Sequence, residues 1–436
     1  FGYRVERVDL MPDHASSDKL TSDPNTGEAP RVPVIVTAIF AVTYLGMALG
    51  RIPGLRIDRT GIAVVAAVAA VAAGALSQRQ ALDAIDGETL IVLFAMMVVS
   101  AQFGAAGAYD ACARRIVALG RRPTVLLAGV VMAAGGLSTV LANDVVVFAM
   151  TPVLCSGLVG QGRDPRPFLI ALATASNAGS AATAIGNPQN ILIARSGDLD
   201  FLAFVEACAP PAVIALVIVF ATVRLVWHAH FTAPAADSLE VAWRDPAPLD
   251  RWQTVKGGVA VAAVVAVFLA PVEPALGTLC VAAVLLLSRR LASRDMLSAV
   301  DWHLLLLFAG LFVVTAAMTA TGLTATTLAA LERLVGDPTA LPVLAPALLL
   351  LSNLVGNVPA VILLLELLPG LGPDTLHAIA VLSTFAGNFL LVGSLANLIV
   401  AERAAQCGVR VGFASFAYAG VPIALSSMAI AVVWFA

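Results

Sequence analysis

The sequence predicts an all-α polytopic membrane protein made of two inverted-topology repeats, each with three spans, a hairpin, a broken helix and a closing span. Three observations predict it. Of 436 residues, 60% are hydrophobic and 12% charged, more apolar surface than a soluble fold of this length can hide. Two polar interruptions, Asn143-Asp144 and Asn357, lie 214 residues apart inside apolar stretches, and each is followed by a second break, at 176–190 and 383–397. Interrupted hydrophobic segments at matching positions of two halves mark a secondary transporter with its site near the bilayer midplane. Third, Lys and Arg distribute unevenly between the two faces that this arrangement defines.

Residues 1–31 are polar and mixed in charge, with no apolar core ahead of a small-residue cleavage site, so they read as a disordered tail rather than a secretory signal. Met11 is a candidate natural start. The first repeat, 32–226, opens with apolar runs at 32–50, 61–76 and 90–107, read as spans because a helix needs about 20 residues to cross the hydrocarbon. Runs 123–141 and 145–160 flank Asn143-Asp144 and form the hairpin. The run 168–194 contains Gly186-Asn187-Pro188-Gln189-Asn190 and is the broken helix, and 203–223 closes the repeat. A polar segment at 227–256 with Pro234, Pro246 and Pro248 is the expected cytoplasmic linker. The second repeat, 257–436, has spans at 257–270, 275–288 and 303–322, a hairpin at 341–368, a broken helix at 377–400 and a closing span at 413–436.

The repeat extends beyond the interruptions. Residues 76–86 match 291–301 at Leu76, Arg79, Leu82, Ala84 and Asp86, an offset of 215, and Phe94-Ala95, Leu137-Ser138 and Asn143 fall on Phe308-Ala309, Leu351-Ser352 and Asn357 at 214. In the second breaks Ser176, Gly186 and Asn190 fall on Ser383, Gly393 and Asn397 at 207. Five net crossings per half would place the halves in opposite orientations. That topology puts 18 of the 25 Lys and Arg on one face and seven on the other, and short loops rich in Lys and Arg stay cytoplasmic. Both termini are therefore expected outside the cell membrane. The same count leaves open whether the hairpin limbs cross fully.

Unwound backbone survives in hydrocarbon only where protein, water or a ligand satisfies its N–H and C=O groups. At 186–190 glycine is expected to turn the chain at positive φ, Pro188 to stop the first half-helix, and the amides to bond freed carbonyls or a ligand. Half-helix N-termini offer donors to an anion, and carbonyl ends can hold a desolvated cation. The candidate substrate and ion ligands are Asn143, Asp144, Asn177, Gly186, Asn187 and Asn190 in the first half. Asn353, Asn357, Asn388, Gly393, Ser394 and Asn397 are their counterparts in the second. Asp144 is the one carboxylate expected near the midplane, suited to hold a cation or carry a proton, and its counterpart is Val358. Glu366 reads as an interfacial or pore-mouth acid and His303, beside Trp302, as an interface anchor.

Other chemistry is not marked. Cys112, Cys155, Cys208, Cys280 and Cys407 form no metal or disulfide pattern. HExxH, GxGD and the phosphate-binding GxxxxGK[ST] are missing, so neither an intramembrane enzyme nor an ATP-driven pump is expected, and no cofactor or nucleic-acid partner. A channel is the alternative from another class.

At 176–190 and 351–357 the chain resembles the ion transporter superfamily of divalent-anion:sodium symporters, citrate permeases, arsenite efflux permeases and sodium/proton antiporters of the same fold. The resemblance covers nearly all of 32–436. It implies that Asn143 and Asn357 occupy the Asn places of two Ser-Asn-Thr tips, with Ala142 and Gly356 in place of Ser, and Asp144 and Val358 in place of Thr. Asn-Asp at the first tip looks more like the arsenite permeases. The expected function is ion-coupled transport of a small anion or oxyanion-type solute, with arsenite efflux or sodium/proton antiport as the alternative. The coupling ion is expected to be Na+ or H+, with Na+ positions at Asn143, Asp144, Gly186 and Asn190 and at Asn357, Gly393 and Asn397. The resemblance also implies a homodimer in the lipid bilayer.

Overall fold

The computed structural model describes residues 31–49, 54–119, 122–229 and 247–436, so the expected tail and most of the 227–256 linker lie outside the described residues. Every regular element among them is helical. In the first half these are α1 (Arg31–Leu49), α2 (Arg59–Ala72), α3 (Gln78–Asp83), α4 (Gly87–Ala105), α5 (Ala108–Val117), α6 (Pro123–Ser138), α7 (Asn143–Val159), α8 (Arg166–Ser180), α9 (Pro188–Ser196) and α10 (Phe201–Val226). In the second they are α11 (Arg251–Leu269), α12 (Pro274–Leu286), α13 (Ser293–Ser298), α14 (Trp302–Ala320), α15 (Leu323–Val335), α16 (Leu341–Val355), α17 (Asn357–Leu367), α18 (Pro373–Ala386), α19 (Leu395–Gln406) and α20 (Phe413–Phe435). The two lists correspond element for element.

Local chemistry explains the correspondence. The matched segments 76–86 and 291–301 become the short helices α3 and α13, each ending at an aspartate that caps the next span. Asp86 accepts from Thr89 N at 3.0 Å and Asp301 from Leu304 N at 3.0 Å, satisfying donors that a helix start leaves open. Among the described residues six helices, α1, α4, α10, α11, α14 and α20, are long and apolar enough to cross a membrane. The hairpin limbs α6, α7, α16 and α17 have 16, 17, 15 and 11 residues. At 1.5 Å per residue these span roughly 17 to 26 Å, short of the ~30 Å hydrocarbon, so the limbs need not cross it.

Packing between the halves is reciprocal. α2 lies on α14 as α12 lies on α4, and α9 lies on α17 and α18 as α19 lies on α7 and α8. One continuous buried apolar cluster runs through both halves. α8 is buried from Pro167 to Ser180 and crosses α6 where Gly179 meets Gly135. A Cβ at Gly179 would overlap the Gly135 carbonyl and Cα, and backbone cannot swing aside. Gly179→Ala is therefore expected to cost about 1–3 kcal/mol through overpacking. Thermal unfolding of the detergent-purified variant reads this, and an unchanged midpoint would mean that α6 and α8 can separate freely.

Candidate functional site

Both hairpins turn immediately before an asparagine. After α6 the chain runs through 139–142, where Ala142 N donates to Ser100 Oγ at 2.9 Å, and α7 begins at Asn143. After α16 it turns in one residue, Gly356 at φ +101, a conformation that side chains resist, and α17 begins at Asn357. The two tip asparagines thus hold the same position, the first residue of the second limb.

The breaks repeat a second device. α8 ends at Ser180 and α9 starts at Pro188, while α18 ends at Ala386 and α19 starts at Leu395 after a 3-10 turn at Leu391–Gly393. Asn190 Nδ2 donates to Ser180 O at 3.2 Å and Thr183 O at 3.0 Å. Asn397 Nδ2 donates to Gly387 O at 2.7 Å and Leu390 O at 3.3 Å, the equivalent carbonyls. In each half a side-chain amide replaces lost helical N–H groups, as an unwound segment in hydrocarbon requires.

Two expectations about the first break change. Gly186 is not among the positive-φ glycines, and a Cβ there would instead overlap the backbone of Ser180 and Ser138, so glycine is needed for close approach. Pro188 does not stop α8. It is the first residue of α9, where its missing N–H costs nothing, and Asn187 caps that helix by accepting from Asn190 N at 2.9 Å. Gly393 is packed in the same way against Asn353 and Gly387 O.

Asn177 joins the tip of one half to the break of the other. Its Oδ1 accepts from Asn143 Nδ2 at 3.2 Å and Ser394 Oγ at 3.0 Å, and its Nδ2 donates to Asn388 Oδ1 at 2.9 Å and Asn397 Oδ1 at 3.1 Å. Asn388 Nδ2 in turn donates to Thr174 O at 3.1 Å. Asn353 is spent on backbone, donating to Leu349 O and Ala386 O and accepting from Leu390 N. Asn187 donates to Ser180 Oγ and Thr384 Oγ1. After this accounting Asn143 Oδ1, Asn190 Oδ1 and Asn357 Oδ1 remain buried with no partner among the described residues. Buried acceptors left open are costly unless a donor or cation meets them.

A cavity of ≈ 510 Å³ adjoins this junction. Of the predicted residues Asn143, Asp144, Asn357 and Ser394 line it, whereas Asn177, Gly186, Asn190, Asn353, Asn388, Gly393 and Asn397 stand behind as its support and Asn187 faces a neighbouring small cavity. The first turns of α2, α7, α9, α14, α17 and α19 all reach the large cavity, through Arg59, Asn143, Gln189, His303, Asn357 and Leu395. Helix N-termini carry partial positive charge, so their convergence favours an anion. Gln189, one of the break amides expected to meet a ligand, lines it as well, whereas Arg59, Thr60 and His303 were not expected here. Arg59 reads in the sequence as an ordinary loop cation, and no local signal marks it. Asp144 is also not alone, because Asp301 lines the same small cavity.

Residues 35–386 match the citrate transporter family, and that stretch holds both hairpin tips and the whole first break. The chain belongs to that family. It is 30% identical to the 46 kDa membrane protein of Mycobacterium leprae, over 91% of this chain and 97% of that one. It is 26% identical to the silicon efflux transporter LSI3 of Oryza sativa, over 86% and 91% of the two chains. The fold is that of the Alcanivorax borkumensis YdaH transporter, at a TM-score of 0.55 and 14% identity, covering 93% of this chain and 98% of that one.

This citrate transporter family member has a second cavity, of ≈ 240 Å³, lined by Ser196, Thr315 and Glu366 among apolar side chains. α9, α14 and α17 run along both cavities. They present Gln189, Leu307 and Pro359 to the large one and Leu192, Phe312 and Ile362 to this second one. Only three to five residues, roughly 5 to 8 Å of helix, separate the two on each. Beside the second cavity the last turn of α9 carries Arg195, which pairs with Glu88 at the start of α4 and with Glu273 Oε1 at 3.7 Å, at the cap of α12.

Proposed function

We propose that this member of the citrate transporter family is an ion-coupled secondary carrier for a small anion or oxyanion-type solute, bound in the large cavity and driven by Na+ or H+. The observation that carries the reading is the meeting of both repeat-related tip asparagines with six helix N-termini around one cavity. The N-termini suit the anion. The open oxygens of Asn143 and Asn357, with Asp144 beside the first, suit a coupling cation. Uptake by proteoliposomes holding the purified chain, with citrate, succinate, phosphate and arsenate as candidate solutes, tests it. Saturable uptake that depends on a Na+ or proton gradient supports a carrier. Non-saturating flux that follows the solute gradient alone would make it a channel.

The proposed topology is that of inverted repeats with both termini outside. It puts the large cavity, rimmed by Asp58, Arg59 and His303, toward the cytoplasm, and the second cavity, beside Ser196 and Gly370, toward the exterior. Cysteines introduced at Arg115 or Arg290 are expected to be shielded from an impermeant thiol reagent outside intact cells, and cysteines at Asp198 or Pro373 to label. The reverse pattern would invert the orientation. Asp144 in the cavity favours a second reading, efflux of arsenite or a similar hydroxide, of which silicon efflux by the rice relative is an example.

A further inference from the structure

Arg59 is the cation of the large cavity whose charge no group among the described residues answers. It is half-buried at the first position of α2. Its Nε donates to Met47 O at 3.1 Å, which fixes the side chain and leaves both terminal nitrogens without a hydrogen bond among the described residues. Nη1 points at the second hairpin tip, 3.6 Å from where a Cβ on Gly356 would stand. Among the described residues no carboxylate lies within 4.0 Å of it. Of the cavity acids, Asp58 is occupied in capping α2, accepting from Gly61 N at 2.8 Å, and Asp144 lies on the opposite hairpin.

That placement is electrostatically unfavourable for the chain by itself. A helix start carries partial positive charge and disfavours a cation, and partial burial removes part of the water that would solvate it. The same cavity collects five more helix starts of the same sign. An anion in the cavity answers all of these at once. A guanidinium fixed through Nε still offers its terminal N–H groups as a fork to a carboxylate or oxyanion.

We propose that Arg59 reads the negative charge of the carried solute and restricts this site to carboxylates and oxyanions that are ionised at neutral pH, excluding uncharged hydroxides such as arsenous or silicic acid. The proposal rests on the carrier reading above and names its substrate class. A neutral hydroxide would leave the guanidinium uncompensated, whereas an ionised solute pairs with it.

The test compares wild type, Arg59→Gln and Arg59→Lys in proteoliposomes, measuring concentration-dependent uptake of citrate, phosphate, arsenate and arsenous acid by each. Wild type is expected to carry at least one of the ions and to be inhibited little by arsenous acid. Arg59→Gln should raise KM for that ion about 10- to 100-fold, the loss expected for a hydrogen-bonded charge partner. Arg59→Lys keeps a point charge without the fork and should fall between. The deciding readout is the ratio of ion to arsenous acid uptake, because a folding defect lowers both alike and leaves the ratio unchanged. Wild-type KM in Arg59→Gln, or an unchanged ratio in both variants, overturns the role of Arg59 while leaving carrier function intact. A wild-type chain that carries arsenous acid alone, or none of the four, overturns the anion reading itself.

Discussion

Asn143→Ala and Asn357→Ala are each expected to lower solute flux by about 10- to 100-fold while membrane insertion stays near wild type. Each removes one carboxamide from the first residue of a hairpin limb without adding bulk or charge. In both, Oδ1 is buried and open, so its loss removes a ligand from whatever fills the site rather than a bond of the fold. A hydrogen bond or ion contact to a charged partner contributes about 1.5–3 kcal/mol, which sets the size of the effect. The two changes are not equivalent. Asn143 Nδ2 also holds Asn177 Oδ1, although Ser394 Oγ keeps donating to that oxygen when Asn143 is gone. Asn357 is the cleaner probe, since its amide stands against Gly387 in the second break. Gradient-driven uptake with a thermal unfolding control on the same preparation measures both. Wild-type turnover in two well-folded variants would end the assignment of the tips to the site.

The order of elements was legible because its signals are local. Apolar run length gives spans, a polar pair inside a run gives a tip, and the matched segments at 76–86 and 291–301 give capped spans through Asp86 and Asp301. The amphipathic helices α5 and α15 escaped, since neither is an apolar run, and they occupy equivalent places after the third span of each half. What each amide does was not legible either. Asn190, Asn353 and Asn397 look like ligands in the sequence, yet their Nδ2 groups are consumed by carbonyls that exist only once the helices have broken. Arg59 and Asp301 reach the central cavities from helix starts far from the tips in sequence, a convergence set by packing of α2 and α14. Gly186 shows the same limit at short range, because its need for glycine comes from the backbone of Ser180 and of Ser138 on another helix and not from its own φ.

Asp144→Asn is expected to change the ion dependence of transport more than the affinity for solute. Asp144 is the second residue of α7, where the helix start favours a negative charge, and it makes no hydrogen bond among the described residues. It lines the large cavity with Asn143 and the small one with Asp301, so two acids share one neighbourhood and a cation or proton between them relieves their repulsion. The repeat-related position, Val358, has no ionisable group, which confines this chemistry to one of the two tips. If Asp144 carries the proton, Asn holds the site permanently neutral, and uptake should lose its dependence on the pH gradient while solute binding survives. If it helps hold Na+, the half-saturating Na+ concentration at fixed pH should rise about tenfold or more, as loss of a charged ligand implies. Measuring uptake against pH gradient and Na+ separately distinguishes the two couplings. Unchanged rate, pH profile and Na+ dependence would reduce Asp144 to a solvated acid at a hairpin tip and leave the coupling ion to the open oxygens of Asn143, Asn190 and Asn357.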